Sequence, residues 1–295
     1  MRFADCIRGT LTLADGAWGT QLIGLGGRLS ECLDLWNLDH PDRVRQVADS
    51  YIRAGSRIIL TNTFRSNPIS LAEHRLEGQC SAINRAGVRI SRKAAGESAM
   101  VFASIGPIGK PHSGSDWTPS SLQRAFAEQA QALAAESPDA ILIETMTNLE
   151  EARISAEVAL ATGLPVVVSF VFIFENNTPR TLEGSTIQQA ASVIGSTGVH
   201  AIGANCCTLP ESSSICRQLA DASTLPIWIK PSAGLPTLID GSPTYSAAPE
   251  EFSSSAEELR RAGATFLGGC CGTTPDFIRA LANHPALRFG AARNL

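Results

Sequence analysis

The chain has 295 residues, 44% hydrophobic and 18% charged, with a formal net charge of −4. This composition excludes a disordered or collagen-like chain, and the lack of a long basic run excludes a nucleic-acid surface. No apolar stretch approaches the roughly 20 residues of a membrane helix, and residues 1–6 show no signal-peptide core, so a cytoplasmic protein without membrane contact is expected.

Short β-rich apolar runs at residues 11–17, 57–63, 100–106, 140–146, 165–172, 201–207, 226–231 and 265–270 each predict a strand. Continuous runs such as Ala140-Ile141-Leu142-Ile143 suit parallel strands buried on both faces. Amphipathic helical patterns separate them. One opens at His40-Pro41-Asp42, with Asp39 as the expected cap and Pro41 in the first turn, and closes at Ala54-Gly55. Others cover 122–136, 149–162 (stopped by Gly163) and 257–262 (stopped by Gly263).

Strands alternating with helices read as α/β, either a barrel or a doubly wound sheet. The count of eight predicts a single (β/α)8 TIM barrel over residues 1–295. Asp15-Gly16-Ala17-Trp18-Gly19 lacks the third glycine of a dinucleotide fingerprint. Two stretches rich in Pro, Ser, Gly and Thr, 109–121 and 235–250, follow strands three and seven. They are expected on the C-terminal face, where barrel loops build sites.

Eight cysteines need a role: Cys6, Cys32, Cys80, Cys206, Cys207, Cys216, Cys270 and Cys271. In a reducing compartment a disulfide framework is a poor account. Cys6, Cys32, Cys80 and Cys216 read as small buried hydrophobes. The vicinal pairs Cys206-Cys207 and Cys270-Cys271 end strands six and eight, which have one strand between them in a barrel. Three thiolates can converge there, and thiolates select zinc or another soft metal. Adjacent strand residues face opposite ways. For Cys270 and Cys271 to share one ion the backbone must leave strand geometry, which Gly268, Gly269 and Gly272 permit. The five histidines (His40, His74, His112, His200, His284) match no metal spacing.

Asp15-Gly16-Ala17-Trp18-Gly19-Thr20, Asn62-Thr63-Phe64, Gly106-Pro107, Glu144-Thr145, Gly203-Ala204-Asn205-Cys206 and Gly268-Gly269-Cys270-Cys271-Gly272-Thr273-Thr274-Pro275 resemble the homocysteine S-methyltransferase family. The resemblance runs in order from about residue 10 to residue 285. Asn62-Thr63-Phe64, Arg180-Thr181-Leu182-Glu183-Gly184, Ala233-Gly234-Leu235-Pro236 and Gly272 place it nearest the homocysteine-binding module of cobalamin-dependent methionine synthase.

The resemblance implies a zinc-dependent methyltransferase that methylates homocysteine to methionine. It implies zinc held by Cys206, Cys270 and Cys271, with Cys207 as the competing ligand on strand six. A free thiol has a pKa of about 8.5 and is a poor nucleophile when protonated. Three protein ligands leave a fourth zinc position for the substrate sulfur. The family's acids that receive the substrate ammonium correspond to Asp15 and Glu144. Amides near Gly16 and Ala17, with Thr63 and Ser104, are candidates for its carboxylate. Asn205 is expected to orient the strand-six loop or support the ligands from behind.

Two positions depart from the pattern: Ser232 stands where relatives carry asparagine, and Trp18 replaces a smaller residue. The 295 residues leave no room for folate, cobalamin and reactivation modules beside a barrel, so the expected donor is a methyl-corrinoid protein in trans. Other readings are an S-methylmethionine- or betaine-type enzyme, or a non-catalytic zinc scaffold that docks a corrinoid protein. A redox role lacks a Cys-x-x-Cys motif.

Overall fold

The computed structural model describes residues 3–7, 11–109, 117–239 and 242–284. Eight parallel strands form one sheet: β1 (Thr12–Leu13), β2 (Ile58–Leu60), β3 (Met100–Ile105), β4 (Ala140–Met146), β5 (Val166–Phe170), β6 (Ala201–Asn205), β7 (Ile227–Lys230) and β8 (Ala264–Leu267). Each pairs with its neighbour in sequence from β2 to β8, and β8 pairs with β1 at Thr12–Phe266 and Leu13–Leu267. At the remaining seam Arg57 N donates to Leu13 O at 2.8 Å, and Leu60 N donates to the Asp15 carboxylate at 2.7 Å. The ring is thus all but closed, and the fold is a (β/α)8 barrel.

A helix follows each strand and covers its outer face. Ile59, Val101, Ile141, Ile143, Val166, Val168, Ile202 and Ile229 meet helix residues such as Val44, Val47, Val88, Phe126 and Leu133 in one buried layer. The alternate residues Ile58, Met100, Phe102, Leu142, Val167, Trp228 and Phe266 fill the barrel itself. The strands therefore carry apolar residues on both faces, which is why they read as continuous apolar runs. Helix Phe3–Cys6 closes the bottom: Phe3 packs on Phe102 and Phe266 with ring centroids 5.8 and 5.9 Å away.

Several expected boundaries move. β1 is short because the chain curls over the barrel beyond Ala14, where Ala17 N donates to Thr273 O. The helix Pro41–Ala54 starts after His40 without any side-chain cap, so Asp39 does not serve, and it ends on Gly55 at φ 111. The helix expected at 257–262 begins eight residues earlier, as Pro249–Arg261, with Pro249 pre-set for its first turn. Two antiparallel hairpins decorate the C-terminal face: Ile173–Glu175 with Thr178–Arg180, and Thr237–Ile239 with Ser242–Thr244. Within the loops expected at 109–121 and 235–250, residues 110–116 and 240–241 lie outside the described residues, as do His112 and the 285–295 end of the expected domain. Among the described residues no helix is long and apolar enough to cross a membrane.

Candidate metal centre and acceptor cleft

The strand-six motif ends with a reversal of the backbone. Cys206 adopts φ 59, a left-handed conformation uncommon outside glycine, and its N–H donates to Lys230 O at 3.2 Å. This turn sends the two adjacent thiols apart. Cys206 faces the barrel mouth, whereas Cys207 is 2% exposed and lies in the apolar layer under the helices. Burial pushes the Cys207 thiol well up, so it stays protonated.

The strand-eight segment leaves sheet geometry after Leu267. Cys270 N donates to Pro231 O at 2.7 Å, and the Thr273 hydroxyl donates to Cys270 O at 2.6 Å. A Cβ at Gly269 would lie 2.3 Å from the Thr273 hydroxyl oxygen. At Gly272 (φ 79) it would lie 2.2 Å from the Tyr245 ring. Glycine is required at both places. The tight turn brings Cys270 and Cys271 to one side.

The three sulfurs of Cys206, Cys270 and Cys271 lie within 4.8 Å of one another. Cys206 Sγ is 2.9 Å from Cys270 Sγ and 3.9 Å from Cys271 Sγ. At these distances each thiol perturbs the others. Hydrogen bonds from Cys206 and Cys270 pull the Cys271 thiol down to about 3, while donating to its neighbours holds Cys206 well up. Three thiols this close can ionise together only when a soft divalent cation offsets their charge. The donor set fits zinc.

Asn205 ties this cluster to the strands around it. Its amide N–H groups donate to Thr145 Oγ1 (2.7 Å), Cys206 Sγ (3.3 Å) and Cys270 Sγ (3.7 Å). Its carbonyl accepts from the Ser169 hydroxyl (2.6 Å) and Thr145 N (3.0 Å). Every polar group of a fully buried side chain is used, so the amide is fixed in orientation. Thr145 is itself held at φ 65. Ser232 hydrogen-bonds Cys271.

Beside the sulfurs the barrel interior turns polar. Asp15 is fully buried; its Oδ1 accepts from Lys230 Nζ at 2.6 Å, and its Oδ2 accepts from Trp18 Nε1 at 2.6 Å and Leu60 N at 2.7 Å. Glu144, 8% exposed, accepts from the Ser104 hydroxyl at 2.5 Å. Burial pushes its carboxyl up to about 7, against the opposing pull of Lys230 and Ser104. Burial works against the Lys230 charge, but Asp15 and Glu144 outweigh it and the net direction is upward.

A cleft of about 610 Å³ opens over these groups. It is lined by the buried Ser104, Glu144 and Lys230, by the half-buried Cys206 and Cys270 and by the exposed Cys271, and its walls include Trp18, Phe64 and Leu33. Glu31, Asp34, Arg65, Glu73 and His74 line its outer part. Burial pushes Asp34 up to about 6 despite hydrogen bonds from Ser66 and Arg65 N. Gly16 and Ala17 line the cleft, although the Ala17 N–H is engaged by Thr273 O.

A family profile for homocysteine S-methyltransferase matches residues 12–284. The chain belongs to the homocysteine S-methyltransferase family. It is 30% identical to the methionine synthase of Mycobacterium leprae over 287 residues, which is 92% of this chain and 24% of that protein. It is 29% identical to the Mycobacterium tuberculosis methionine synthase over 295 residues, 94% of this chain and 25% of that protein. The chain thus spans about a quarter of the length of these relatives. The fold also matches the metallated form of the homocysteine methyltransferase MmuM from Escherichia coli. The TM-score is 0.80 at 24% identity, with 95% of this chain and 98% of that one covered.

Within this family member the structure gathers most, but not all, of the residues singled out in sequence. Cys206, Cys270, Cys271, Gly16, Ala17, Ser104 and Glu144 line one cleft, and Asn205 braces the sulfurs from behind. Thr63 and Asp15 are not in its lining. Thr63 is fully buried, with its hydroxyl donating to Ser104 O at 2.7 Å and meeting Thr61 Oγ1 at 2.6 Å. Asp15 is surrounded by its three protein donors. Sequence reasoning missed Lys230 and Tyr51. The Tyr51 hydroxyl lies 2.8 Å from Ala17 O and 3.1 Å from Thr273 O, two carbonyls on the loops that frame the cleft. The signal for Lys230 lies in strand alternation: it is two residues above the inward-facing Trp228, just as Ser104 is above Phe102.

Proposed function

We propose that this chain transfers a methyl group to the thiol of homocysteine, giving methionine, at a zinc ion held by Cys206, Cys270 and Cys271. The observation that carries the reading is the convergence of those three sulfurs within 4.8 Å in the lining of a cleft that Glu144 also lines. When bound, zinc supplies Lewis acidity that lowers the pKa of the acceptor thiol, so that its sulfur is nucleophilic at neutral pH.

The chain's own residues bind and orient. Glu144, fixed by Ser104, receives the acceptor's ammonium; the amide of Asn205 directs N–H groups at the cysteine sulfurs and offsets their charge. No side chain carries the methyl group: the acceptor sulfur bonds to the methyl carbon as the donor's bond to that carbon breaks.

The proposed donor is a methyl-corrinoid protein supplied in trans. Its support is apolar surface on the loops that rim the C-terminal face: Leu29, Leu182 and Leu235 are 65%, 58% and 74% exposed. A second reading, a small cationic donor of the S-methylmethionine or betaine type, draws on Glu31, Asp34 and Glu73 in the outer cleft near the aromatic walls Trp18 and Phe64.

Zinc-loaded protein with homocysteine and a panel of methyl donors, scored for methionine, tests the reading. Free methylcobalamin is expected to yield methionine slowly and S-methylmethionine almost none. Efficient turnover of S-methylmethionine or a betaine replaces the corrinoid reading with the second. No methionine from any donor leaves a scaffold that only docks a corrinoid protein.

A further inference from the structure

The three sulfurs of the cluster are not equivalent. All eight cysteines lie among the described residues, and of these Cys271 alone is exposed. It lines the cleft beside Cys206 and Cys270, which are half-buried. Those two are also held from behind. Asn205 sends N–H groups to their sulfurs at 3.3 and 3.7 Å and donates none to Cys271. Such hydrogen bonds draw charge from a thiolate, and burial narrows the approach of an incoming carbon. Cys271 has the Ser232 hydroxyl as its side-chain partner outside the cluster, and its exposure leaves an approach open.

No other thiol rivals it. Cys32 also lines the cleft, but it is half-buried, stands apart from the cluster, and burial pushes its thiol up. A protonated thiol is a poor nucleophile. Cys6, Cys80, Cys207 and Cys216 are buried. Methyl transfer brings a methyl electrophile to this cleft, and a metal ion would keep Cys271 as a thiolate. The acceptor thiol and Cys271 then compete for the same carbon.

We propose that Cys271 is a self-methylation site, modified by a methyl electrophile that reaches the cleft before the thiol acceptor does. A lone pair of Cys271 Sγ forms the bond to the methyl carbon. The bond from that carbon to its leaving group breaks, and the leaving group departs with the electron pair. The step needs no oxidant and moves no proton. Its product is a neutral thioether in place of a charged ligand, and zinc in such a site is held by deprotonated sulfur. Self-methylation therefore releases the metal, and the chain is protected when the acceptor binds before the donor. The proposal rests on the methyl-transfer reading for the source of the electrophile. The competing role for the exposure of Cys271 is access for the acceptor sulfur alone, with Cys271 itself inert.

Peptide mapping by mass spectrometry separates the two roles. The probe is methyl iodide, added in less than molar equivalence to the zinc-loaded full chain. The first methyl group is expected on Cys271, with zinc released in step, read with a chromophoric indicator. Methionine occupies the acceptor position without a thiol to consume the reagent. At about ten times its dissociation constant it should slow methylation of Cys271 about tenfold, since the unoccupied centre is what reacts. A first methyl group on Cys32, Cys206 or Cys270 overturns the proposal, as does a rate at Cys271 that methionine leaves unchanged. Methylated Cys271 with zinc fully retained overturns it too. The mapping uses the wild type, so no variant has to fold. Unmodified Cys271 in a chain that makes methionine removes this proposal and leaves the methyl-transfer reading standing. Absence of methionine from every donor removes that reading, and the peptide map still decides the reactivity of Cys271.

Discussion

The two ends of the barrel interior use the same strands and the same alternation to opposite purposes. At the bottom, inward-facing Phe102, Trp228 and Phe266 pack with Phe3 in a dry aromatic cluster, Trp228 and Phe266 having ring centroids 5.5 Å apart. Two residues further along their strands stand Ser104, Lys230 and Gly268; likewise Leu142 gives way to Glu144 and Val167 to Ser169. The bottom removes apolar area from water, which stabilises. The top buries Asp15, Glu144 and Lys230, whose desolvation is only partly offset by their attraction. One end holds the barrel together, and the other maintains a charged, hydrogen-bonded cavity at a cost in stability. Substitutions at the two ends should therefore separate stability from ligand binding.

The largest effect is expected at the bottom. Phe266→Ala empties the centre of a fully buried aromatic cluster and should cost about 3–5 kcal/mol in urea unfolding. Zinc per folded chain should stay unchanged. If the folded fraction of this variant loses its metal, the two ends are not independent.

Glu144→Gln probes the top. Losing a charged partner for the ligand ammonium should weaken methionine binding by about 10- to 150-fold, read by calorimetry, with the unfolding midpoint preserved or raised. The pH dependence sharpens this. Burial raises the Glu144 carboxyl from 4.5 to about 7, so the folded chain retains a proton that the unfolded chain releases. Its contribution to stability is fully present below the unfolded value and is lost as pH rises through about 7. Methionine needs the ionised carboxylate, so its affinity should rise across the same window. Glu144→Gln should flatten both trends, and an unchanged methionine profile would place the titrating group elsewhere.

A smaller effect is expected behind the metal site. Asn205→Ala removes the N–H groups that reach Cys206 and Cys270 but leaves all three sulfurs. Competition with a chelator should show zinc affinity lower by about 10- to 100-fold. Unaltered affinity would reduce Asn205 to a brace for Thr145.

Much of the top end was legible in the sequence because it depends on local chemistry. The glycines around Cys270-Cys271 announced a backbone that leaves strand geometry, and strand alternation separated Cys206 from Cys207. The left-handed turn at Cys206 was not legible, since no glycine marks it. Lys230 was hidden for a different reason: a lysine ending the strand Ile227–Lys230 looks like a solvated residue, and its partner Asp15 lies 215 positions away. Only the register of the closed ring brings them together. The same non-local closure gives Asp15 and Thr63 protein hydrogen-bond partners that the sequence did not announce. The helix expected at 257–262 starts earlier, at Pro249, and the helix at Pro41 starts where expected but without the Asp39 cap, because proline geometry rather than a side-chain cap sets both starts.

Metal analysis of the purified chain and four single variants tests the central claim most directly. The account predicts about one zinc per chain in the wild type and in Cys207→Ala, and loss of zinc in each of Cys206→Ala, Cys270→Ala and Cys271→Ala. Full zinc in any of those three, or loss confined to Cys207→Ala, would contradict it.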